Sequence, residues 1–128
     1  MKPARASIEI AAPVNTVWPL LAEFRWWPSW GPTVRAVSAG ATSVAPGARG
    51  RIQTPIGIWV PFEITNVEPE RSWNWTVAGI RATGHHVTAV GSNRTRVDFT
   101  VSGWFAPYAV ILHAGLRRLK ELAEMPRT

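Results

Sequence analysis

The spacing of hydrophobic and polar residues predicts one strand and then a short helix at the start of the chain. Residues 5–11 alternate between apolar and polar side chains, as in a strand with one buried face. Pro13 suits the first position of a helix. Pro19 removes a backbone donor inside this helix, so we expect the helix to be short and kinked. The apolar residues at helical spacing are Val14, Val17, Trp18 and Leu21.

Three tryptophans then lie within five positions, Trp26, Trp27 and Trp30, in the segment EFRWWPSWGP. We expect a second short helix or a turn here, because Pro28 is tolerated in the first turn of a helix. Indole rings packed this densely fill a core, line a ligand cavity, stack on sugars or bases, or lie at a membrane surface. The pattern alone leaves these uses open.

From residue 33 to residue 104 the pattern predicts about six strands joined by tight turns. Pro61 suggests an edge strand or a bulge, since proline cannot donate to a strand ladder. Gly84 indicates a bulge in a later strand. Residues 68–71, EPER, predict a type I turn with proline in second place. The predicted strands are 33–39, 51–54, 58–69, 72–77, 81–90 and 95–104.

The last predicted element is an amphipathic helix of about five turns, from about residue 107 to 125. We expect it to pack on the sheet face that carries Val97, Phe99 and Val101. Its apolar stripe consists of Tyr108, Ile111, Leu112, Gly115, Leu116, Leu119, Leu122 and Ala123. A run of strands with segregated helices predicts an α+β fold, in one domain over residues 1–128.

Composition and charge exclude several classes of protein. The 128 residues contain no cysteine, which excludes disulfides, thiolate metal sites and thiol nucleophiles. The longest apolar run, residues 104–112, is about half a membrane span, so we expect a soluble, cytoplasmic protein without a membrane span. The net charge of +6 raises nucleic acid or an anionic surface as a partner. Most arginines are scattered, however, and the cluster Arg117, Arg118 and Lys120 falls at a helix end, where cations offset the dipole. We therefore expect no specific nucleic-acid binding.

Several segments together resemble the START-like, helix-grip superfamily, especially its polyketide cyclase/dehydrase branch. These segments are IEIAAPVNTVWPLLAEFRWWPSW, FEITNVEPERSWNW, GHHVTAV, TRVDFTVSG and LRRLKELAE, in that order. The resemblance implies a curved antiparallel sheet of about seven strands around the long C-terminal helix, with a cavity for an apolar ligand between them. The superfamily includes lipid carriers, plant hormone receptors and aromatic-polyketide cyclases, so the fold does not settle the function.

The resemblance also implies candidate ligand-binding residues. The tryptophan segment would close one mouth of the sheet, with either Trp26 or Trp27 facing inward, which disfavours sugar or base stacking. Gly115 costs about 1 kcal/mol relative to alanine in a helix, so it leaves room either for close contact with the sheet or for a ligand. The residues expected around the cavity are Trp30, Phe62, Trp73, Trp75, His85, Phe99, Tyr108, Leu112 and Gly115.

Candidate chemistry is sparse. His85 and His86 are adjacent on a strand and point to opposite faces, so we expect no metal site and no cofactor. The resemblance places His85 in the cavity, as a general base or as a hydrogen-bonded structural residue. Only Arg81 and Tyr108 could assist it in catalysis. The carboxylates Glu9, Glu63 and Asp98 alternate outward and form no inward pair.

The sequence thus predicts a protein that binds a small apolar or aromatic molecule in the cavity. One alternative is a cyclase or dehydratase that uses the same cavity, and a second is a weak binder of an anionic surface or of nucleic acid. A second copy of the chain is a candidate partner.

Overall fold

The computed structural model describes residues 4–101 and 109–125. Within them the chain forms a run of strands between two short helices and one long helix. The short helices are separated by a single 3₁₀ turn, Phe24–Trp26. The elements are β1 Ala4–Ile10, α1 Val14–Ala22, α2 Trp27–Trp30, β2 Ala36–Ala39, β3 Arg49–Gln53, β4 Trp59–Glu68, β5 Ser72–Val77, β6 Ile80–Gly91, β7 Arg94–Val101 and α3 Ala109–Glu124.

The seven strands of the described residues form one open antiparallel sheet in the order β1-β7-β6-β5-β4-β3-β2. Consecutive strands from β2 to β7 are neighbours, and β1 joins the far edge beside β7. One face of this sheet is covered by the helices, and the buried apolar residues between them form a continuous core. The predicted α+β, helix-grip architecture is confirmed.

Two short helices follow β1, as the sequence predicts, and the kink expected at Pro19 stays a prediction. Pro13 lies just before α1 as its N-cap residue, and the short helix continues through Pro19. The Pro19 carbonyl accepts the Glu23 N–H at 2.9 Å, so helical bonding resumes after the proline. Pro28 lies in the first turn of α2, where its missing donor costs nothing.

Pro61 lies neither at a sheet edge nor at a bulge, which corrects the expectation from sequence. Strand β4 pairs with β3 on one side and with β5 on the other. The Pro61 carbonyl accepts the Ala78 N–H at 2.8 Å, from the turn that follows β5. Since the N and C=O of one strand residue face the same neighbour, the proline nitrogen faces this turn, where the β4–β5 ladder has ended.

The turn between β4 and β5 is also different from the predicted type I. The Arg71 N–H bonds to the Glu68 carbonyl at 2.9 Å, which closes a four-residue turn. Glu70, in third place, has φ +61°, whereas a type I turn requires a negative angle there. With Pro69 in second place, this combination is typical of a type II turn.

The bulge expected at Gly84 is confirmed in the pairing of β5 with β6. From Asn74 to Thr76, β5 advances by two residues, while its partner β6 advances by three, from Gly84 to Arg81. A Cβ atom at Gly84 would lie 2.6 Å from Thr100 Oγ1 and 2.9 Å from Asn74 Oδ1, so these side chains on the neighbouring strands occupy the space that a Cβ would need.

Within the described part of the predicted stripe, helix α3 buries Leu112, Leu116 and Leu119, while Ile111 and Leu122 are partly buried. It packs mainly on β1, α2 and α1, and less on β7 than we expected. Gly115 explains this position, because a Cβ atom there would lie 3.3 Å from the Trp30 carbonyl oxygen and 3.4 Å from Pro32 Cδ. The missing side chain therefore allows α3 to approach the end of α2.

Asp98 lies on the outer face of the sheet as predicted, but it is only 4% exposed. The Ser7 hydroxyl on β1 donates to its carboxylate. Arg5 Nε lies 3.7 Å from one carboxylate oxygen, and Arg96 Nε lies 3.5 Å from the other. This side chain is buried because its neighbours on β1 and β7 cover it.

Candidate functional site

The tryptophan segment closes the inner face of the sheet through two of its three indoles. Trp27 is 1% exposed and Trp30 is buried beside it. Their indole N–H groups donate to the carbonyls of Leu21 and Leu20, at 2.9 and 2.7 Å. These carbonyls belong to the last turn of α1, which lacks partners within the helix. The two indoles thus cap α1 while their rings enter the core, and the partly exposed Trp26 lies outside.

The inward face of β5 supplies the facing rings, because Trp73 and Trp75 share strand parity. Trp73 stacks on Trp27 with ring centroids 5.0 Å apart, and on His85 with centroids 3.7 Å apart. The His85 ring also meets Phe99 on β7 edge to face, at 5.0 Å. The aromatic cluster, defined by these rings and Trp30, fills the space under α2 and α3.

His85 is held by hydrogen bonds on both ring nitrogens. Nδ1 lies 3.2 Å from the Trp73 carbonyl oxygen, which can only accept, so Nδ1 carries the proton. Nε2 then accepts the Thr83 hydroxyl at 3.2 Å. The Trp75 indole N–H donates in turn to Thr83 Oγ1 at 3.0 Å. A chain of bonds therefore runs from Trp75 through Thr83 to His85.

Burial lowers the pKa of His85 from 6.5 to about 3. The bond to the Trp73 carbonyl opposes this effect, and the charge of His86 adds to it. The imidazole is accordingly neutral near pH 7, and its one lone pair is engaged by Thr83. A general base requires an accessible lone pair and a pKa near the working pH, and this histidine offers neither.

A small cavity lies between the aromatic cluster and α3, with a volume of about 60 Å³. It is lined by Trp27, Trp30, Gly31, Pro32, Thr33, Val34, Trp73, Trp75, Thr83, His85, Phe99, Ile111, Leu112 and Gly115. Pockets for drug-sized ligands measure about 300–1,000 Å³, so this cavity alone holds only a few small groups.

Seven of the nine predicted ligand-binding residues line this cavity, and Phe62 does not. Phe62 packs behind Trp27, with centroids 5.4 Å apart, and Trp27 takes its place at the cavity. Tyr108 lies outside the described residues. Arg81 is exposed and has no part in the hydrogen-bond chain of His85, because the bulge beside Gly84 intervenes.

A larger groove of about 340 Å³ opens at the end of the sheet where β3, β5 and β7 finish. Thr33, Trp75 and Thr83 line both the groove and the cavity, so the two spaces adjoin at these residues. The groove was not among the sites predicted from the sequence, although the inward-facing residues near the strand ends would have indicated it. The other lining residues are Ile52, Thr54, Val60, Val77, Ile80, Arg81, Ala82 and Val101.

The other surfaces of the described residues offer fewer groups suited to binding or catalysis. A wider groove of about 870 Å³ lies between α1 and β2, away from every predicted site residue. In the part of the chain that the structure describes, no three histidine, aspartate or glutamate side chains are grouped to hold a metal ion. Within the same residues, no helix has the length and apolar character needed to cross a membrane.

The chain matches the polyketide cyclase/dehydrase and lipid transport family over residues 1–124, and it belongs to this family. Members share a fold that is suited to binding hydrophobic ligands. No curated protein matches the sequence.

Solved structures show the same fold at low sequence identity. The Aha1 dimer from Colwellia psychrerythraea is 18% identical over 100% of both chains, with a TM-score of 0.75. A protein from Thermobifida fusca is 23% identical over 100% of this chain and 99% of its own, with a TM-score of 0.74. DynU16, from the dynemicin biosynthetic locus, is 20% identical with a TM-score of 0.74, over 98% of this chain and 48% of its own. At these identities the likeness concerns the fold alone.

Proposed function

We propose that the protein binds a small apolar or aromatic molecule in the groove, with one end of the ligand reaching the cavity beside His85. The observation that carries this proposal is the groove itself, whose volume of about 340 Å³ lies within the range of ligand pockets. Aliphatic side chains such as Ile52, Val60 and Val77 dominate its lining. Ile80 at its rim is 64% exposed, so the entrance is apolar as well.

The inner end of the groove adds a polar group for orientation. The Thr83 hydroxyl accepts from Trp75 and donates to His85, which leaves one of its two oxygen lone pairs for a ligand. An apolar site with one or two fixed polar groups is typical of small-molecule binding. Roles for Trp30, Phe99, Leu112 and Gly115 as the apolar lining of the inner end belong to the same proposal.

Catalysis in this cavity receives less support. The cyclase or dehydratase alternative needs a group that takes up a proton, and His85 has a pKa of about 3 with both nitrogens engaged. A carrier or sensor of the ligand requires no such group.

Binding to an anionic surface also receives less support. Arg117 and Arg118 are exposed on α3, but Lys120 is engaged with Glu124 at 2.5 Å and with the Glu9 carbonyl at 3.2 Å. Retention on DNA should therefore vanish by about 0.2 M salt. A homodimer stays a proposal for which sedimentation at micromolar concentration is the test.

The function is tested with the aromatic probe α-methylstyrene and a variant that fills the groove. At a probe concentration ten times Kd, binding adds about 1.4 kcal/mol to stability and raises Tm by roughly 4–6 °C. Ala82→Phe places a ring in the groove and should abolish this rise. Ala89→Phe, on the same strand but away from the groove, should retain it.

Two results would contradict the proposal: no rise in Tm for the unmodified protein, or an equal rise for Ala82→Phe. Native mass spectrometry of the purified protein complements the titration, because a molecule that co-purifies would identify the ligand class directly.

A further inference from the structure

The indole N–H of Trp73 is buried and has no hydrogen-bond partner. The whole residue is 1% exposed, although its ring lines the cavity beside His85. An unpaired buried donor costs about 1–3 kcal/mol, so native proteins seldom keep one without a water or a ligand. The unpaired N–H of Trp73 therefore indicates that a ligand or a water supplies the hydrogen-bond acceptor.

The other indoles around the cavity are already engaged. Those of Trp27 and Trp30 donate to the last turn of α1, and that of Trp75 donates to Thr83. Both nitrogens of His85 are also occupied. Among the four indoles that line this cavity, Trp73 alone retains its donor for a ligand.

The space beside Trp73 suits one small polar group. A single water needs about 10–15 Å³, so the cavity of about 60 Å³ accommodates a water or the carbonyl end of a larger molecule. Buried waters usually make about three hydrogen bonds, whereas the other three indoles and both nitrogens of His85 at this cavity have their partners already. A carbonyl oxygen is satisfied by the single donor of Trp73.

We infer that the ligand is an aromatic molecule with a carbonyl oxygen, and that Trp73 selects it by donating its indole N–H to this oxygen. The inference rests on the proposed function, since the aromatic part of the ligand occupies the groove. Trp73 is then a specificity-determining residue, while the apolar lining supplies most of the affinity.

Acetophenone and α-methylstyrene test this inference, because they have nearly the same shape and differ in C=O against C=CH₂. The ratio of their Kd values isolates the contribution of the oxygen. In Trp73→Phe, the preference for acetophenone should fall about 3- to 10-fold relative to the unmodified protein, as expected for one hydrogen bond. Trp26→Phe, which alters an indole outside the cavity, is the matched control and should leave the ratio unchanged.

Nuclear magnetic resonance gives a second measurement that does not depend on the stability of a variant. The Trp73 indole N–H resonance, assigned in the unmodified protein through the proximity of this ring to His85, should move downfield with acetophenone and much less with α-methylstyrene. If both probes bind and neither the ratio nor the resonance responds, the inference is wrong and a buried water holds the N–H. If neither probe binds, the proposed function fails and the inference with it.

Discussion

The inner and outer faces of β6 and β7 bury ionisable side chains in different ways. On the inner face, His85 is stacked against Trp73, and burial lowers its pKa to about 3. On the outer face, Asp98 is 4% exposed yet lies between Arg5 and Arg96, whose side chains remain 67% and 45% exposed. The comparison shows two ways of burying such a side chain. His85 has no counter-charge and its pKa falls, whereas Asp98 is packed between two arginines and a serine hydroxyl.

The largest expected effect is on the inner face. Trp27→Ala should lower the free energy of unfolding by about 3–5 kcal/mol, since it opens a hole in the aromatic cluster and removes the bond to Leu21. Trp26→Ala should cost less than about 1 kcal/mol, because Trp26 is partly exposed and meets Arg25 at the surface. Urea denaturation measures both. Equal losses of unfolding free energy in the two variants would mean that Trp26 contributes as much to the core as Trp27.

A smaller effect is expected on the outer face. Asp98→Ala should cost about 1.5–3 kcal/mol, because it leaves the Ser7 hydroxyl without its acceptor and two arginines without their counter-charge. Glu63→Ala is the matched control, since its pair with Arg49 is well exposed and should contribute less than about 1 kcal/mol. A cost for Asp98→Ala no greater than that of the control would show that its burial is incidental.

The pH dependence of stability sharpens the comparison further. The pKa of His85 is about 3 in the folded protein and 6.5 in the unfolded chain, so the unfolded state binds the extra proton between these values. Stability is therefore fully present above pH 6.5 and decreases as the pH falls, by about 2 kcal/mol from pH 7 to pH 5. In His85→Gln this part of the decrease should disappear. An unchanged slope would mean that His85 is not responsible.

Local patterns account for most of the correct sequence predictions. Strand alternation placed Trp73 and Trp75 on one face, the family resemblance placed His85 in the cavity, and helical spacing placed Leu116 in the core. The wrong predictions depended on neighbours that are distant in the chain. Pro61 was expected at an edge or a bulge because proline lacks a backbone donor. The missing donor is tolerated because Pro61 faces the turn that follows β5, which the local pattern does not show. Strand alternation placed Phe62 on the inner face, but Trp27 lies between Phe62 and the cavity.

The sequence by itself determined the order of elements, the α+β class and the inward side of each strand, because these follow from periodicity over a few residues. Only the tertiary structure decided how the space under α3 is used. Gly115 allows close packing on Trp30, and the large rings reduce the inner cavity to about 60 Å³. It also decided that His85 is neutral and that the Trp73 N–H lacks a partner. Cavity volume and hydrogen-bond pairing depend on distances between side chains far apart in sequence, which a pattern of residue types does not contain.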